Sequence, residues 1–489
     1  MSLNPMKLLL QHAMELLRRG EAVFQPDRAL NHATTAFILD RLYFGEFQIY
    51  EQLSSAPIGE RINILGRRGP SSGAPLWLVA QTGAGLPPIP ASWQSLEGQP
   101  TEARRATGRN DLLGFGAQSG KLDLLLKIMA ASNIPASELG RPVHIAAISG
   151  EEGLGSGGPT LLGPLDMGRG TALVHGPTSN TIWTRHPGCL ALHLRVERRL
   201  RHRRMPPHTG LWQFTYETDS AHGLSTRHSD DPDALTVAMR ILDALRASGE
   251  VRVLEFSAGE AANRRPARCL IRAALGYAAP PNLKHIHPRI QVTALADTVG
   301  LPMPIDNMVT AWFRAEAAGL KATLDRAGLA RNAPEVRPAR GHMTGRVVAD
   351  RDYMSGDIVI WTGPGVDHED LCVRFANATQ QAIQDEAELE VELHVLQDRP
   401  ALETSEGSEE LVATAAGAMK ECGLAPIVGG GLATTDAGLF RFLGVESLVF
   451  GAAGPLDTLY RDDESISIEA LERALGFYEA MIRRLAGRT

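Results

Sequence analysis

The strongest constraint on the fold is a texture that starts, breaks off and returns. Short apolar runs alternate with helical patterns over the first 180 or so residues, give way to a different arrangement, and resume from Glu403. In the first stretch, Leu76-Trp77-Leu78-Val79-Ala80, Val143 to Ile148 and Thr171 to Val174 read as buried strands. Helical periodicity marks Lys7 to Arg19, Leu30 to Gln52 and the strongly apolar Leu122 to Ala131. Strands alternating with helices imply an α/β layer with a largely parallel sheet and helices on both faces. Near Thr184 the pattern changes: Cys189 to Val196, Leu211 to Tyr216, Val251 to Phe256 and Ala267 to Arg272 read as strands beside a helix over Asp233 to Ala247. That is an α+β unit. Afterwards come a helix from Glu409 to Cys422, a strand over Ser447 to Phe450 and a final helix from Ile468 to Leu485. A chain of 489 residues is too long for one core. The expected plan is therefore a main α/β domain in two parts (1–184 and 396–489) with an α+β domain (185–395) inserted. Pro280 to Met343, with a helical segment over Asp306 to Ala327 between Pro-rich linkers, reads as a further insertion near 280–343.

Composition narrows the partners. The chain is 44% hydrophobic and 21% charged, with a net charge of −7. A mildly acidic balance gives no electrostatic reason to expect nucleic acid or an anionic membrane surface. No apolar run approaches the roughly 18 residues that span a bilayer, and the N-terminus carries no signal-peptide pattern. Cys189, Cys269, Cys372 and Cys422 have no CxxC spacing and read as reduced thiols. The cytoplasm is the expected location. The Arg cluster from Arg195 to Arg204 reads as a solvated hairpin arm, with an anion-binding patch as the alternative.

Ser149-Gly150-Glu151-Glu152-Gly153 follows the apolar run that ends at Ile148. Two adjacent carboxylates after a buried strand can divide labour, one holding a metal and the other moving protons. Without a cation they repel, raising one pKa. A protonated Glu or a cationic ligand then fits there.

With these residues in place, the chain resembles the zinc-dependent family of acetylornithine deacetylase, succinyl-diaminopimelate desuccinylase, aminoacylase and carboxypeptidase G. The resemblance runs nearly the whole length in order. It rests on Trp77 to Gly83 with Pro87, Pro88 and Trp93, the turn Leu113 to Lys121, Glu151-Glu152, Ala172 to Thr178, and Thr184 to Leu190. Ala221-His222, Asn263-Arg264-Arg265-Pro266, Thr435-Asp436-Ala437 and Asp463-Glu464 continue it. The resemblance implies a zinc-exopeptidase-like main domain and an inserted lid that makes a homodimer.

It also implies a two-zinc centre, and here the chain departs from the pattern. The metal-binding Glu is kept as Glu152, but Gln81, Ser119, Gly176 and Tyr460 stand at the other ligand positions. A catalytic zinc needs about three protein donors, so no cofactor is expected unless other ligands are recruited. His175, His186, His193 and His228 fit no ligand motif. By resemblance Glu151 is the general base and His222 an oxyanion donor. Asn263 and Arg374, the latter on a strand pattern over Leu371 to Arg374, would hold a substrate carboxylate, and Gly430 in Gly429-Gly430-Gly431 would let backbone approach a ligand. Two functions remain open. One is a hydrolase relative that binds an amino-acid-like or N-acyl amino acid ligand without zinc-dependent hydrolysis, as a pseudoenzyme or a metal-free acyl-transfer catalyst. The other is a working metal-dependent peptidase or deacylase of N-acyl amino acids or dipeptides.

Overall fold

A computed structural model describes residues 5–18, 32–56, 59–83, 96–97, 99, 102–106, 108–149, 170–199, 208–218, 231–260, 262, 264–296, 304–332, 336, 341–349, 352–453 and 464–488. The chain divides into two compact units, one comprising Met1–Gly188, Asn332–Arg337 and Arg399–Thr489, the other Cys189–Arg331 and Pro338–Asp398.

The first unit opens with helices α1 (Pro5–Arg18) and α2 (His32–Phe44) and strands β1 (Gln48–Ala56), β2 (Gly59–Arg68) and β3 (Leu76–Gln81). Two short strands, β4 (Arg104–Arg105) and β5 (Asp111–Leu113), precede α3 (Gly120–Ser132), β6 (Val143–Ile148), β7 (Thr171–Val174) and β8 (Ile182–His186). The helical periodicity over Leu30 to Gln52 is broken inside that span. Helix α2 ends at Phe44, Phe47 N–H bonds back to Leu42, Glu46 turns left-handed at φ 60°, and β1 begins two residues later. The apolar spacing that read as one helix is thus a helix and the start of an edge strand.

A mixed sheet is the centre of this unit. Strand β3 lies between β6 and β7, parallel to both, and its pattern is buried from Leu76 through Ala80. A strand covered on both faces needs such a continuous apolar run. Helix α3 is buried over Gly120 to Ala131. Buried on every side, although it carries Lys121, Asp123 and Lys127, it packs as an interior helix rather than an amphipathic surface one. Burial of its Leu124, Leu125, Leu126 and Ile128 side chains contributes roughly 1.5–3 kcal/mol each.

The second unit holds β9 (Gly188–Arg198), β10 (Gly210–Glu217), α4 (Ala234–Ser248), β11 (Val251–Ala258), β12 (Arg268–Leu275), β13 (Gln291–Leu295), α5 (Asp306–Thr323), β14 (His342–Ala349), β15 (Tyr353–Thr362), α6 (His368–Ala382) and β16 (Leu389–Arg399). An eight-stranded sheet runs β13-β10-β12-β11-β14-β15-β9-β16 and is antiparallel from β13 through β15. Helix α4 starts at the cap Asp233, whose carboxylate accepts the Thr236 N–H. The 280–343 stretch supplies edge strand β13 and helix α5, whose Trp312 is fully buried in the unit's core and donates its indole N–H to the Leu194 carbonyl.

The chain then returns to the first unit with β17 (Leu402–Glu403), α7 (Glu409–Glu421), β18 (Val428–Gly430), α8 (Ala437–Phe442), β19 (Glu446–Val449), β20 (Ser465–Ser467) and α9 (Ile468–Ala486). Strand β19 joins β7 in parallel, so the sheet order becomes β1-β2-β6-β3-β7-β19-β8-β17, with β18 beside β8. Strands β20, β5 and β4 form a separate small sheet. Among the described residues no helix is long and apolar enough to cross a membrane.

Candidate functional site

In open α/β sheets the ends of parallel strands leave backbone and side chains facing outward at one edge, where ligand crevices form. Strands β3 and β7 end at Gln81 and Val174, and the residues that follow line a polar cleft. Its walls are Gln81, Gln118, His175, Gly176, Arg399 and Asp436, with Gly120 and Thr435 among their neighbours. About 50 Å³ is open to water there, room for roughly three to five molecules at 10–15 Å³ apiece.

Three residues at ligand positions implied by the resemblance fall in or beside this cleft, and none presents a carboxylate or an imidazole. Gln81 donates through Nε2 to Asp436 Oδ2 at 3.2 Å. Ser119, the residue before α3, turns its hydroxyl into its own loop and donates to the Gly116 carbonyl at 2.7 Å. Gly176 has no side chain, and a Cβ there would meet Val449 Cγ1 at 2.3 Å. Any larger residue at that position forces the Val449 side chain to shift. The Arg399 guanidinium also holds Asp436, with Nε 3.2 Å from Oδ1, and both side chains are buried.

Behind the cleft wall lies a denser network. Asp123 on α3 is buried and receives Lys127 Nζ at 2.6 Å and the Tyr478 hydroxyl at 2.6 Å. Lys127 Nζ also donates to the Val79 carbonyl at 2.7 Å. His175 Nδ1 lies 3.4 Å from Asp123 Oδ2, close enough for an ion pair but without hydrogen-bond alignment. Burial alone would raise the Asp123 pKa; Lys127 and His175 more than offset this and hold it at about 2. Asp123 is therefore a permanent anion at neutral pH.

A second buried acid sits at the entry to α3. Glu464 accepts the backbone N–H groups of Gly116 at 3.1 Å and Gln118 at 2.6 Å, and burial pushes its pKa up to about 7. Lys121, beside it, is driven down to about 8 by burial, with Nζ 5.6 Å over the Phe115 ring. This acid pins the loop that carries Gln118 and Ser119.

The other sequence candidates scatter. Glu151, Glu152, His222, Asn263 and Tyr460 lie outside the described residues, as does His228. Arg374 is on helix α6, not on a strand; Asp367 caps that helix by accepting the Glu369 and Asp370 N–H groups, and Arg374 pairs with Asp370 one turn away at 2.6 Å. Gly430 is on β18, where a Cβ would meet Arg185 Cγ at 2.6 Å and Val336 Cγ1 at 2.3 Å. Its close approach is to the protein itself. His186 is buried between the Pro187 carbonyl and Thr435 Oγ1, and His193 pairs with Asp357 at 2.7 Å in the second unit. Sequence reasoning missed Asp123, Lys127, Arg399 and Tyr478. The available signal was a pair of opposite charges four residues apart inside the apolar helix Leu122 to Ala131.

The sequence pattern of the peptidase family M20/M25/M40 matches residues 86–484. The chain belongs to this family of peptidases and amidohydrolase-like proteins. A search of curated proteins gives no significant match. Similar solved structures include the yeast (Saccharomyces cerevisiae) dipeptidase Dug1p, at 13% identity and TM-score 0.56 over 98% of this chain and 95% of that one. Human carnosine dipeptidase 1 is 11% identical with TM-score 0.52, covering 98% of this chain and 97% of its own. Aminoacylhistidine dipeptidase from Vibrio alginolyticus is 15% identical with TM-score 0.51, again covering 98% and 97%. At such identities the likeness is one of fold.

Proposed function

We propose that this family member binds a small amino-acid-like or N-acyl amino acid ligand in the cleft and does so without zinc-dependent hydrolysis. The observation that carries this reading is the state of three ligand positions. Gln81 is engaged with Asp436, Ser119 with its own loop, and Gly176 has no donor and no space for one. A zinc ion needs about three protein donors, drawn from thiolate, imidazole and carboxylate. Neutral amide and hydroxyl groups are poor substitutes. Among the described residues no three His, Cys, Asp or Glu side chains converge as metal ligands. Among the described residues, the guanidinium and the carboxylate that line the cleft, Arg399 and Asp436, are buried and paired with each other.

Metal analysis of untagged protein tests this, alongside thermal shift with a panel of N-acyl amino acids. The expected result is much less than one zinc per chain, with ligand-induced stabilisation that a chelator leaves intact. One to two zinc ions per chain, together with chelator-sensitive hydrolysis of N-acyl amino acids or dipeptides, would sink the reading in favour of a metal-dependent peptidase.

A further inference from the structure

His175 is the one imidazole on the cleft wall among the described residues, and its surroundings orient it. The ring follows β7, anchored by its backbone N–H donating to the Val79 carbonyl at 2.8 Å. Nδ1 is buried and turned toward Asp123 Oδ2 at 3.4 Å. Nε2, on the opposite side of the ring, has no hydrogen-bond partner among the described residues, and the residue lines the cleft. Asp123 is fixed from two other directions by Lys127 and Tyr478, so it cannot turn away from the ring.

We propose that Asp123 and His175 form a hydrogen-bond-accepting dyad, in which the carboxylate holds the proton on Nδ1 and leaves Nε2 as a bare acceptor for a donor group of the cleft's ligand. The ligand class is a small molecule with an amide or amine N–H. This rests on the metal-free reading above and deepens it by naming the group that meets the ligand. The reason is general: a neutral imidazole carries one proton, and a carboxylate behind one nitrogen draws that proton and fixes the tautomer. The 3.4 Å separation is longer than a finished hydrogen bond, as is common in unliganded sites that tighten on binding. Asp123 acts here as a positioning residue, since it reaches the ligand only through the ring. Gly451 gives the ring its place: a Cβ at that position would stand 3.0 Å from Nδ1.

The test has two arms. In protein labelled with nitrogen-15 histidine, the His175 signals are assigned by their loss in H175Q, or in H175N should H175Q not fold. The dyad predicts the Nδ1–H tautomer in the unliganded protein; the Nε2–H tautomer overturns it. In the second arm, calorimetry measures binding of N-acetyl amino acids and the matching O-acetyl hydroxy acids, which lack the N–H. At least one N-acetyl compound is expected to bind, tenfold or more tighter than its ester, and H175Q is expected to abolish that preference. No binder in the panel, equal binding of amide and ester, or a preference unchanged in H175Q each overturns the proposal. Zinc in the purified protein would instead defeat the reading on which it rests, and leaves the tautomer measurement standing on its own.

Discussion

Single residues in the first unit show how much electrostatics a buried helix can carry. Asp123 and Lys127 are four apart on α3, with side chains 3% and 0% exposed. Each is tolerable there only because of the other, since an uncompensated buried charge costs more than the pair gains. Asp123→Asn should therefore destabilise the protein by about 3–5 kcal/mol, because it strands the Lys127 ammonium. Replacing both by Leu should cost far less than the sum of the single changes, a coupling that urea unfolding of the full cycle would measure. Additive losses would refute it. The sign with pH also follows. Asp123 is held at about 2, below its unfolded value near 3.8, so its stabilisation is present above pH 3.8 and is lost as pH falls toward 2. In D123N that acid-side loss should be smaller. Such a pair was visible in the sequence as two charges within an apolar helix, but the partners Tyr478 and His175 are 355 and 52 positions away from Asp123. Only the fold brings them together.

At the scale of elements, legibility followed periodicity. The apolar runs at Leu76 to Ala80, Val143 to Ile148 and Thr171 to Val174 are the strands β3, β6 and β7, because burial on both faces demands runs of that kind. Leu371 to Arg374 misled for the converse reason: four residues of mixed polarity cannot distinguish strand from helix, and the deciding signal was the cap at Asp367. Sites were harder to read than elements. Arg399, at the end of β16 just before β17, meets Asp436, just before α8, because β17 pairs with β8 while α8 packs on β17 and β19, an arrangement that no local pattern encodes. The fit of these elements is tight where β7 ends. Gly176→Ala places a Cβ against Val449 Cγ1 and should destabilise by about 1–3 kcal/mol, as overpacking does. Adding Val449→Ala should recover part of that loss, because it removes the opposing methyl. Chemical denaturation of the single and double variants decides the matter; a Gly176→Ala protein as stable as the parent would show that β19 yields freely.

For the whole molecule, the relevant fact is that there are two cores. One gathers α1, α3, α7 and α9 around the mixed sheet, and the other gathers α4, α5 and α6 on the antiparallel sheet. Each unit thus has the means to be stable by its own burial, and calorimetry is expected to resolve two components of unfolding rather than one. Leu242→Ala, which empties a fully buried position beneath the antiparallel sheet, should lower only one of them, by about 2–5 kcal/mol. That same component should carry a distinct pH dependence. Glu316 on α5 is buried, bonded to Thr344, and burial pushes its pKa up to about 7 from 4.5. Between those values the folded unit binds the extra proton, so its stability is full below about pH 4.5 and declines as pH rises through 7, by roughly 3 kcal/mol for a shift of that size. Glu316→Gln should flatten that decline in the component that Leu242→Ala marks, while the other component keeps its own response, which includes Glu464. A single transition shifted by both substitutions would mean that the two cores unfold as one, and that the proton held at Glu316 stabilises the whole chain rather than one unit.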